Sequence, residues 1–315
     1  MMWERLHQLA PRVQEYPWGA RGHDGRPPYI ARLLGQTPPD DRPYAELWIG
    51  GHPALPCTLS VDGQTRNLDE VVAEYPREIL GSGLADTGLR SLPLLLKILD
   101  CEAPLSIQAH PNKVLARMLN QRHPEHYPDA NHKPEIAVAL TPFRALCRFR
   151  ERQQIQHDLR RHSGLAALLC DQLDDVDEPS WLRRAYRRLF EASSMDIERA
   201  LCSVTEALAD GADVTREDLC FLDLARHCPG DRGALCTYFL NLLELAPGEA
   251  IFLAADEPHA YLNGTIVECM ANSNNVVRAG LTSKFMDVPV LLDMLTYEEA
   301  LPRIWRGEEM PGGGR

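Results

Sequence analysis

Short apolar runs separated by proline- and glycine-rich turns fill the chain up to about residue 150. Two of them, LPLLLKIL and EIAVALTPFRALCRF, have the length and composition of buried β-strands. Similar runs return from about residue 234, as LCTYFLNLLEL, a turn at APGEA, and then IFLAADEPHAYL. The pattern predicts β-structure at both ends of the chain.

A helical period replaces this pattern between about residues 151 and 230. Apolar residues recur at helical spacing in two segments, and Gly211 and Thr215 are the expected stop of the second helix and N-cap of a third. The apolar positions are Leu182, Ala185, Tyr186, Leu189 and Phe190 in the first segment, and Ile197, Leu201, Val204 and Leu208 in the second.

We therefore predict a mainly β protein with a helical insert rather than two sequential domains. Residues 1–150 and 233–305 are expected to form the two parts of one β domain. Residues 151–232 are expected to form an α-helical insert domain, and 306–315 a polar tail.

Composition narrows the class of protein. The chain has 315 residues and a formal net charge of −12 at pH 7, which argues against a broad nucleic-acid-binding face. No apolar run is long enough to span a membrane, and the first residues lack the apolar core of a signal peptide. Nine cysteines without a CxxC pair indicate reduced thiols. We expect a cytoplasmic protein without nucleic-acid or membrane partners.

Lysine is rare among the basic residues. Of 33 lysines and arginines, only four are lysines, namely Lys97, Lys113, Lys133 and Lys284. Lysine differs from arginine because it is a compact charge that can also lose its proton and act as a base. These four lie in or beside the unusual motifs of the chain, although chance in an arginine-rich composition remains an alternative.

Five residues suggest a metal site. In a strand formed by LSIQAH, Gln108 and His110 would project from one face, because strand side chains have a period of two. Lys133 and Glu135 are also two apart, and His259 is expected in a turn after an apolar strand. Two imidazoles, a carboxylate and an amide oxygen suit a divalent metal such as zinc.

Spacing alone leaves a simpler interpretation open, because a QxH motif is common and most histidines are ordinary surface or core residues. We assign His52 a structural role for the same reason. Trp18 and Trp48 are interpreted as core residues rather than as platforms for a sugar ring.

Six motifs together resemble the type I mannose-6-phosphate isomerase family of cupin-fold zinc enzymes. They are YPWG, AELWIGGHP, PLSIQAHPNK, NHKPEIAVALTPF, PGEAIFLAADEPHAYLNG and MANSNNVVRAGLTSKF, which together cover most of residues 11–297 in the order typical of the family. The resemblance implies a cupin-type β-barrel (jelly-roll) catalytic domain and one Zn²⁺ per chain. It implies zinc ligands at Gln108, His110, Glu135 and His259.

The same resemblance implies the activity and three further site residues. The expected reaction interconverts mannose 6-phosphate and fructose 6-phosphate through an enediol. Arg278 is implied at the active site, and Ser106 and Lys284 match positions associated with the phosphate. From its chemistry we take Lys133 as the base that moves the proton between C2 and C1, because a nearby cation would favour its neutral form. One explanation for all four lysines is that they surround the anionic sugar phosphate; the alternative for Lys97 and Lys113 is a position behind the residues that contact it.

Two departures from the family pattern keep other functions open. Asn274 stands where the family usually has an aspartate, and family members normally continue into a further β domain that this sequence lacks. One alternative is a non-catalytic cupin that binds sugar phosphates. Another is an iron-dependent cupin oxygenase, since two histidines and one carboxylate also describe such a site.

Residues 287–305 are strongly apolar. We expect either that this segment folds back as a helix or that the protein self-associates through it. The first outcome would bury Leu291, Leu292, Leu295 and Trp305.

Overall fold

The computed structural model describes residues 6–23, 25–37, 41–169, 180–211 and 213–308. Within these ranges, no helix has both the length and the apolar character needed to cross a membrane.

Most strands lie at the two ends of the described chain, and most of the longer helices lie between them. The strands are β1 (Leu9–Ala10), β2 (Arg12–Gln14), β3 (Glu46–Ile49), β4 (Thr58–Val61), β5 (Gln64–Asn67), β6 (Leu94–Cys101), β7 (Ile107–Ala109), β8 (Glu135–Ala139), β9 (Phe143–Phe149), β10 (Leu240–Leu245), β11 (Glu249–Leu253), β12 (His259–Ala271), β13 (Val277–Gly280) and β14 (Trp305–Arg306).

The helices alternate with the strands at first and then follow one another. They are α1 (Tyr29–Leu33), α2 (Leu68–Glu74), α3 (Pro76–Ala85), α4 (Lys113–Arg122), α5 (Arg152–Arg161), α6 (Ser163–Leu168), α7 (Trp181–Glu191), α8 (Ser194–Ala209), α9 (Arg216–His227) and α10 (Val288–Met294), with a 3₁₀ helix at Arg232–Tyr238. The helices from α5 to α9 occupy the predicted insert region, and its division from the rest stays a prediction.

Strand β12 is the centre of the antiparallel β-structure. Its first residues pair with β7 and β9, while its later residues, from Gly264 to Ala271, pair with β6 and those from Ile266 to Met270 with β8. The sheet order runs β14-β11-β8-β12-β6-β3-β2, and β13 and β10 are added through β7 and β9. One long strand therefore belongs to two groups of strands and brings their side chains to one enclosed region.

Gly264 marks the point at which β12 passes from one group of strands to the other. Its φ is +107°, a backbone conformation that residues with a side chain rarely adopt. A Cβ atom at this position would lie 2.4 Å from the carbonyl oxygen of Pro142. Glycine is therefore required here both by the backbone angle and by the close approach of a neighbouring chain segment.

The predicted helical faces are confirmed. All nine apolar residues named for the two helical segments are buried in α7 and α8, and Gly211 follows α8 with a φ of +88°. Thr215 is the N-cap of α9, where its side chain and that of Asp218 form a capping box.

Three local predictions need correction. The segment Leu235–Leu245 is not one strand, because a buried 3₁₀ helix precedes β10. Strand β7 is only three residues long, and His110 lies just beyond it, where Pro111 cannot continue the ladder of hydrogen bonds. His259 begins β12 instead of lying in a turn.

The C-terminal apolar segment folds back as helix α10. Leu291, Leu292 and Leu295 are buried in the main core, as predicted for this outcome. Trp305 was expected to be buried with them, and this is wrong. It lies in the edge strand β14, 46% exposed, with the Arg303 guanidinium 3.7 Å from the centre of its ring.

Candidate metal and substrate site

Three buried side chains meet at one point between the strands. His110 Nε2 lies 3.3 Å from Glu135 Oε1, and His259 Nε2 lies 3.5 Å from Glu135 Oε2. One ligand-type atom from each of the three residues lies within 4.8 Å of the others. They come from the residue after β7, the first residue of β8 and the first residue of β12, so strand ends carry all three.

The far nitrogen of each imidazole contacts a backbone carbonyl. His110 Nδ1 lies 2.7 Å from the carbonyl oxygen of Asn275, and His259 Nδ1 lies 3.1 Å from that of Glu257. A carbonyl oxygen only accepts, so both Nδ1 atoms carry the proton and both Nε2 atoms present a lone pair to Glu135.

The carboxylate at the centre of this group is ionised. Burial alone would raise the pKa of Glu135, but the Lys133 ammonium and His110 hold it well below its ordinary range. Lys133 Nζ lies 2.6 Å from Glu135 Oε1. Burial, with a further contribution from Lys133, lowers the pKa of His110 to about 4, so its ring is neutral at physiological pH.

These features fit a divalent metal ion. The Nε2 atoms of His110 and His259 are buried and make no hydrogen bond, although each faces a carboxylate oxygen. Two lone pairs and an anionic oxygen pointing at one another repel unless a cation lies among them. Imidazole nitrogens and a carboxylate oxygen are ligands that zinc accepts.

Gln108 lies beside this group through strand pairing. It is directly opposite His259 in the pairing of β7 with β12, and opposite Arg278 in the pairing of β7 with β13. Gln108 also lines the adjoining cavity, and its place among the metal ligands stays a prediction.

A cavity of about 420 Å³ opens next to the three buried residues. Every lysine of the chain except Lys113 lines it, and so do Ser106 and Arg278. Lys113 instead begins α4 and is exposed. Lys133 lines the cavity, whereas His132 and Glu135 are not among its lining residues.

Arg278 has the properties of a receptor for an anion. It is half-buried, and burial lowers the pKa of its guanidinium. Among the residues that the structure describes, no hydrogen bond or ion pair involves this side chain. It also lines a second cavity of about 350 Å³ that shares Asn274, Val276 and Lys284 with the first.

A buried group of charges forms another wall of the cavity. Lys97 is opposite Trp48 on one side and Glu268 on the other in the strand pairing. Its Nζ atom lies 3.2 Å from Glu46 Oε2, 3.7 Å from Glu268 Oε2 and 4.6 Å from the centre of the Trp48 ring. Burial, and next the charge of Glu135, raise the pKa of Glu268 to about 7.

Most of this wall was not predictable from the motifs in the sequence. Glu46 and Glu268 were given no role, whereas Trp48, which was predicted in the core, is buried there and also lines the cavity. A usable signal was present, because Lys97 and Glu268 are each the one charged residue in an apolar stretch, LLLKIL and TIVECMA. Charges in such positions are almost always paired or functional. Trp18 also lines the cavity, although it packs against the core.

The two remaining residues singled out in the sequence lie at or near the cavity. Asn274 lines both cavities, and its backbone N–H donates to Asp129 Oδ2 at 2.7 Å. His52 is buried, accepts a hydrogen bond at Nδ1 from the Ala54 backbone and packs edge-on against Trp48. Its structural interpretation agrees with these contacts.

In sequence, the chain is similar to mannose-6-phosphate isomerases. The profile of the family described as "Phosphomannose isomerase type I, catalytic domain" matches residues 6–152. The chain is 42% identical to mannose-6-phosphate isomerase from Homo sapiens over 315 residues, covering 93% of this chain and 73% of that protein. It is 43% identical to the same enzyme from Bos taurus over 316 residues, covering 93% and 74%.

The solved structures to which the chain is similar are also mannose-6-phosphate isomerases. A zinc-bound mannose 6-phosphate isomerase superposes with a TM-score of 0.84 at 33% identity, covering 93% of this chain and 75% of that one. A variant of phosphomannose isomerase from Salmonella typhimurium has a TM-score of 0.85 at 33% identity, with the same coverage. The chain thus spans about three quarters of the length of these relatives, and the predicted cupin fold is confirmed, with antiparallel sheets and helices mixed.

Proposed function

The chain belongs to the type I mannose-6-phosphate isomerase family, and on this premise we propose which role each site residue has in the isomerase reaction. It is a zinc-dependent aldose–ketose isomerase that interconverts mannose 6-phosphate and fructose 6-phosphate. The observation that carries the site assignment is the convergence of two buried, unpartnered imidazole nitrogens on an ionised carboxylate beside a cavity with several cations.

Zinc ligands are proposed at His110, Glu135, His259 and Gln108. The first three present electron pairs to one point, and Gln108 is the neighbour of His259 across the strand pair. Bound Zn²⁺ acts as a Lewis acid, which polarises a carbonyl or hydroxyl oxygen of the sugar. A single anionic ligand leaves the site with a net positive charge, which favours this role.

Proton transfer is assigned to Lys133. In the open-chain aldose, its neutral amine would take the proton from C2, while the C2 hydroxyl proton passes to the C1 oxygen to give an enediolate. Return of the proton to C1 yields the ketose, so no oxidant or reductant is needed. Lys133 Nζ lies on the cavity wall beside Glu135, within reach of a sugar carbon placed near the metal ligands.

The remaining cations are assigned to the anionic parts of the substrate. Arg278 has no competing ion pair in the described part of the chain, so its guanidinium is available for oxygens of the enediolate. Ser106 and Lys284 line the same cavity and are proposed to hold the phosphate group. Lys97 is neutralised in part by Glu46 and Glu268, and we give it a supporting electrostatic role.

Three wider proposals follow from the family. We propose that the enzyme serves mannose metabolism and works in the cytoplasm, where its cysteines, free at every described position, would stay reduced. We also keep self-association on the C-terminal side as a proposal, because Trp305 and its neighbour Phe252 are exposed there.

A coupled isomerisation assay tests the function. Pure protein should convert mannose 6-phosphate to fructose 6-phosphate, lose this activity after treatment with a chelator, and recover it with added Zn²⁺. Binding of the sugar phosphate without any turnover would instead support the non-catalytic cupin. Oxygen consumption by the iron-loaded protein would support the oxygenase, which the named relatives do not favour.

A further inference from the structure

The ring of the proposed zinc ligand His259 is held by a hydrogen bond at Nδ1, the nitrogen that faces away from the other ligands. Its Nδ1 atom donates to the carbonyl oxygen of Glu257 at 3.1 Å. Glu257 belongs to the turn at residues 254–258, which joins β11 to β12. The direction of the His259 Nε2 lone pair therefore depends on where this turn places its carbonyl.

The side chain of Glu257 fixes the turn. Its Oε1 atom lies 2.6 Å from the Arg148 guanidinium, and its Oε2 atom accepts from the Ala254 backbone N–H at 3.1 Å. Only 10% of the Glu257 side chain is exposed, against 26% for Arg148. A nearly buried carboxylate with both oxygens engaged has little freedom, so the carbonyl of the same residue has little freedom too.

Arg148 reaches Glu257 because strand β9 has an irregularity at this residue. Its φ is +54°, which is uncommon for a residue with a side chain, and the register between β9 and β10 shifts here. The Asn241 side-chain amide donates to the carbonyls of Cys147, Arg148 and Phe149 at 3.1–3.2 Å. The Arg148 N–H donates to the Pro258 carbonyl at 2.9 Å, inside the same turn.

The turn also touches the second histidine. The Asp256 N–H donates to the His110 carbonyl at 2.8 Å, and the Asp256 carboxylate accepts from the backbone and side chain of Asn112. Asp256 itself has a φ of +66°. Arg148, one partner of the ion pair, and Asp256, the chain neighbour of the other partner, thus both have a positive φ, and such strain persists only where surrounding contacts impose it.

We infer that the Arg148–Glu257 ion pair is a positioning device for His259 and sets the affinity of the metal site. Neither residue is among the proposed metal ligands or lines the 420 Å³ cavity. The inference rests on the proposed ligand set, because a positioning device has meaning only if His259 is a ligand. Loss of the ion pair would let the turn relax, and His259 Nε2 would be held less well in line with the other donors.

Zinc affinity of the apoprotein, measured by competition with a chromogenic chelator, tests this role. Glu257→Gln and Arg148→Asn should each weaken zinc binding by about 10-fold or more. Asparagine tolerates positive φ, so Arg148→Asn removes the ion pair with little backbone strain. The double variant should bind about as weakly as either single one, because both remove the same interaction. The visible spectrum of the Co²⁺-loaded protein should change in the same variants.

The chain offers a matched control in another ion pair. Arg152 and Glu299 also lie 2.6 Å apart, with 25% and 19% of their side chains exposed, and they contact none of the proposed ligands. Glu299→Gln should therefore leave zinc affinity unchanged. Thermal unfolding of each apoprotein, measured separately, shows how far any variant affects stability alone.

Two results would overturn the inference. One would leave the proposed ligand set intact, and the other would contradict the ligand set as well. If His259→Ala abolishes tight zinc binding while Glu257→Gln and Arg148→Asn bind like the wild type, the positioning role is wrong and the ligand set stands. If His259→Ala binds zinc like the wild type, the ligand set is wrong, and the positioning role fails with it.

Discussion

Charged residues within apolar strands contribute to the electrostatics of the cavity. Lys97 and Glu268 project from neighbouring strands as direct partners, and Glu46 lies close to the same ammonium. Because the group is buried, its charges are screened only weakly by water. The net charge of this group therefore affects the binding of any anion that enters the cavity. It also affects Lys133 and Arg278, which line the same cavity.

Replacing Lys133 with arginine should separate binding from proton transfer. The charge beside Glu135 would remain, but a guanidinium does not lose its proton at ordinary pH and cannot act as the base. We expect kcat to fall by about 100-fold or more, with a change in KM of less than about 3-fold. Steady-state kinetics measures both values.

Lys113→Arg is the control for this substitution, since Lys113 is exposed at the start of α4 and outside the cavity. It should leave kcat and KM unchanged. Near-normal turnover of the Lys133→Arg enzyme would remove Lys133 from the proton transfer.

Arg278→Gln should reduce catalysis without reducing stability. The guanidinium has no ion pair in the described part of the chain, and burial lowers its pKa, so its charge costs free energy in the folded protein. We expect kcat/KM to fall by about 100-fold, because the oxygens of the substrate lose a charged partner. The free energy of unfolding in urea should stay equal or rise slightly. A strongly destabilised variant with normal kcat/KM would contradict this assignment.

At the scale of elements, β12 joins the two groups of strands and supplies a proposed ligand at its first residue. Its later residues pair with β6 and β8, which carry Lys97 and Glu135. The site therefore depends on β12 pairing with β7 and β9 at its start and with β6 and β8 further along. Gly264 is the residue at which that passage occurs.

Gly264→Ala should destabilise the protein by about 2 kcal/mol or more, since the new Cβ meets both an unfavourable φ and the Pro142 carbonyl. Gly83→Ala is the matched control. Gly83 lies in helix α3 with nothing within 4 Å of a new Cβ, so alanine should be neutral or slightly stabilising there. Urea unfolding of both variants measures the difference. Equal stability of the two would contradict the role given to Gly264.

Asp218 should give α9 a stability that depends on pH. Burial opposes ionisation of this carboxylate, but hydrogen bonds from Thr215, Arg161 and Tyr238 outweigh it and lower the pKa to about 2. A folded pKa below the unfolded one contributes stability above the unfolded value, and this contribution is lost as the pH falls toward 2. By pH 3, about 1 kcal/mol of it should be gone.

The Asp218→Asn variant isolates this contribution. It should be less stable than the wild type at pH 6, and the gap between the two proteins should narrow by pH 3. Urea unfolding at both pH values measures the gap. A gap that stays constant or widens toward low pH would show that the carboxylate of Asp218 does not have this role.

At the scale of the whole molecule, one face of the sheet exposes apolar side chains. Ile136 is opposite Phe252 in the pairing of β8 with β11, and Ala250, two residues along, is opposite Trp305. The three large side chains therefore share a face, and they are 39%, 46% and 46% exposed. Contiguous apolar surface of this kind commonly marks an interface.

Phe252→Glu should test self-association through this face. If the protein self-associates here, light scattering of the wild type should show a mass above that of one chain, and the variant should be a monomer. Leu219→Glu changes an exposed leucine on α9 instead and should leave the mass unchanged. A monomeric wild type would remove the proposal.

Local patterns in the sequence were enough to predict the elements with the strongest period. The faces of α7 and α8, the N-cap at Thr215 and the strands β6, β8 and β9 follow from the spacing of apolar residues and from capping chemistry, which act over a few residues. Two-residue spacing also selected Gln108 with His110 and Lys133 with Glu135. The family resemblance supplied Arg278, Ser106 and Lys284.

Only the tertiary structure could decide which distant residues meet. The wall formed by Glu46, Lys97 and Glu268 depends on the register of three strands that are far apart in the sequence, and a shift of one residue would turn each side chain to the other face. Trp305 became exposed because its strand lies at the edge of the sheet. The reach of Arg148 to Glu257 depends on an irregular strand and the Asn241 contacts that hold it, and non-local contacts of this kind leave no periodic signal in the sequence.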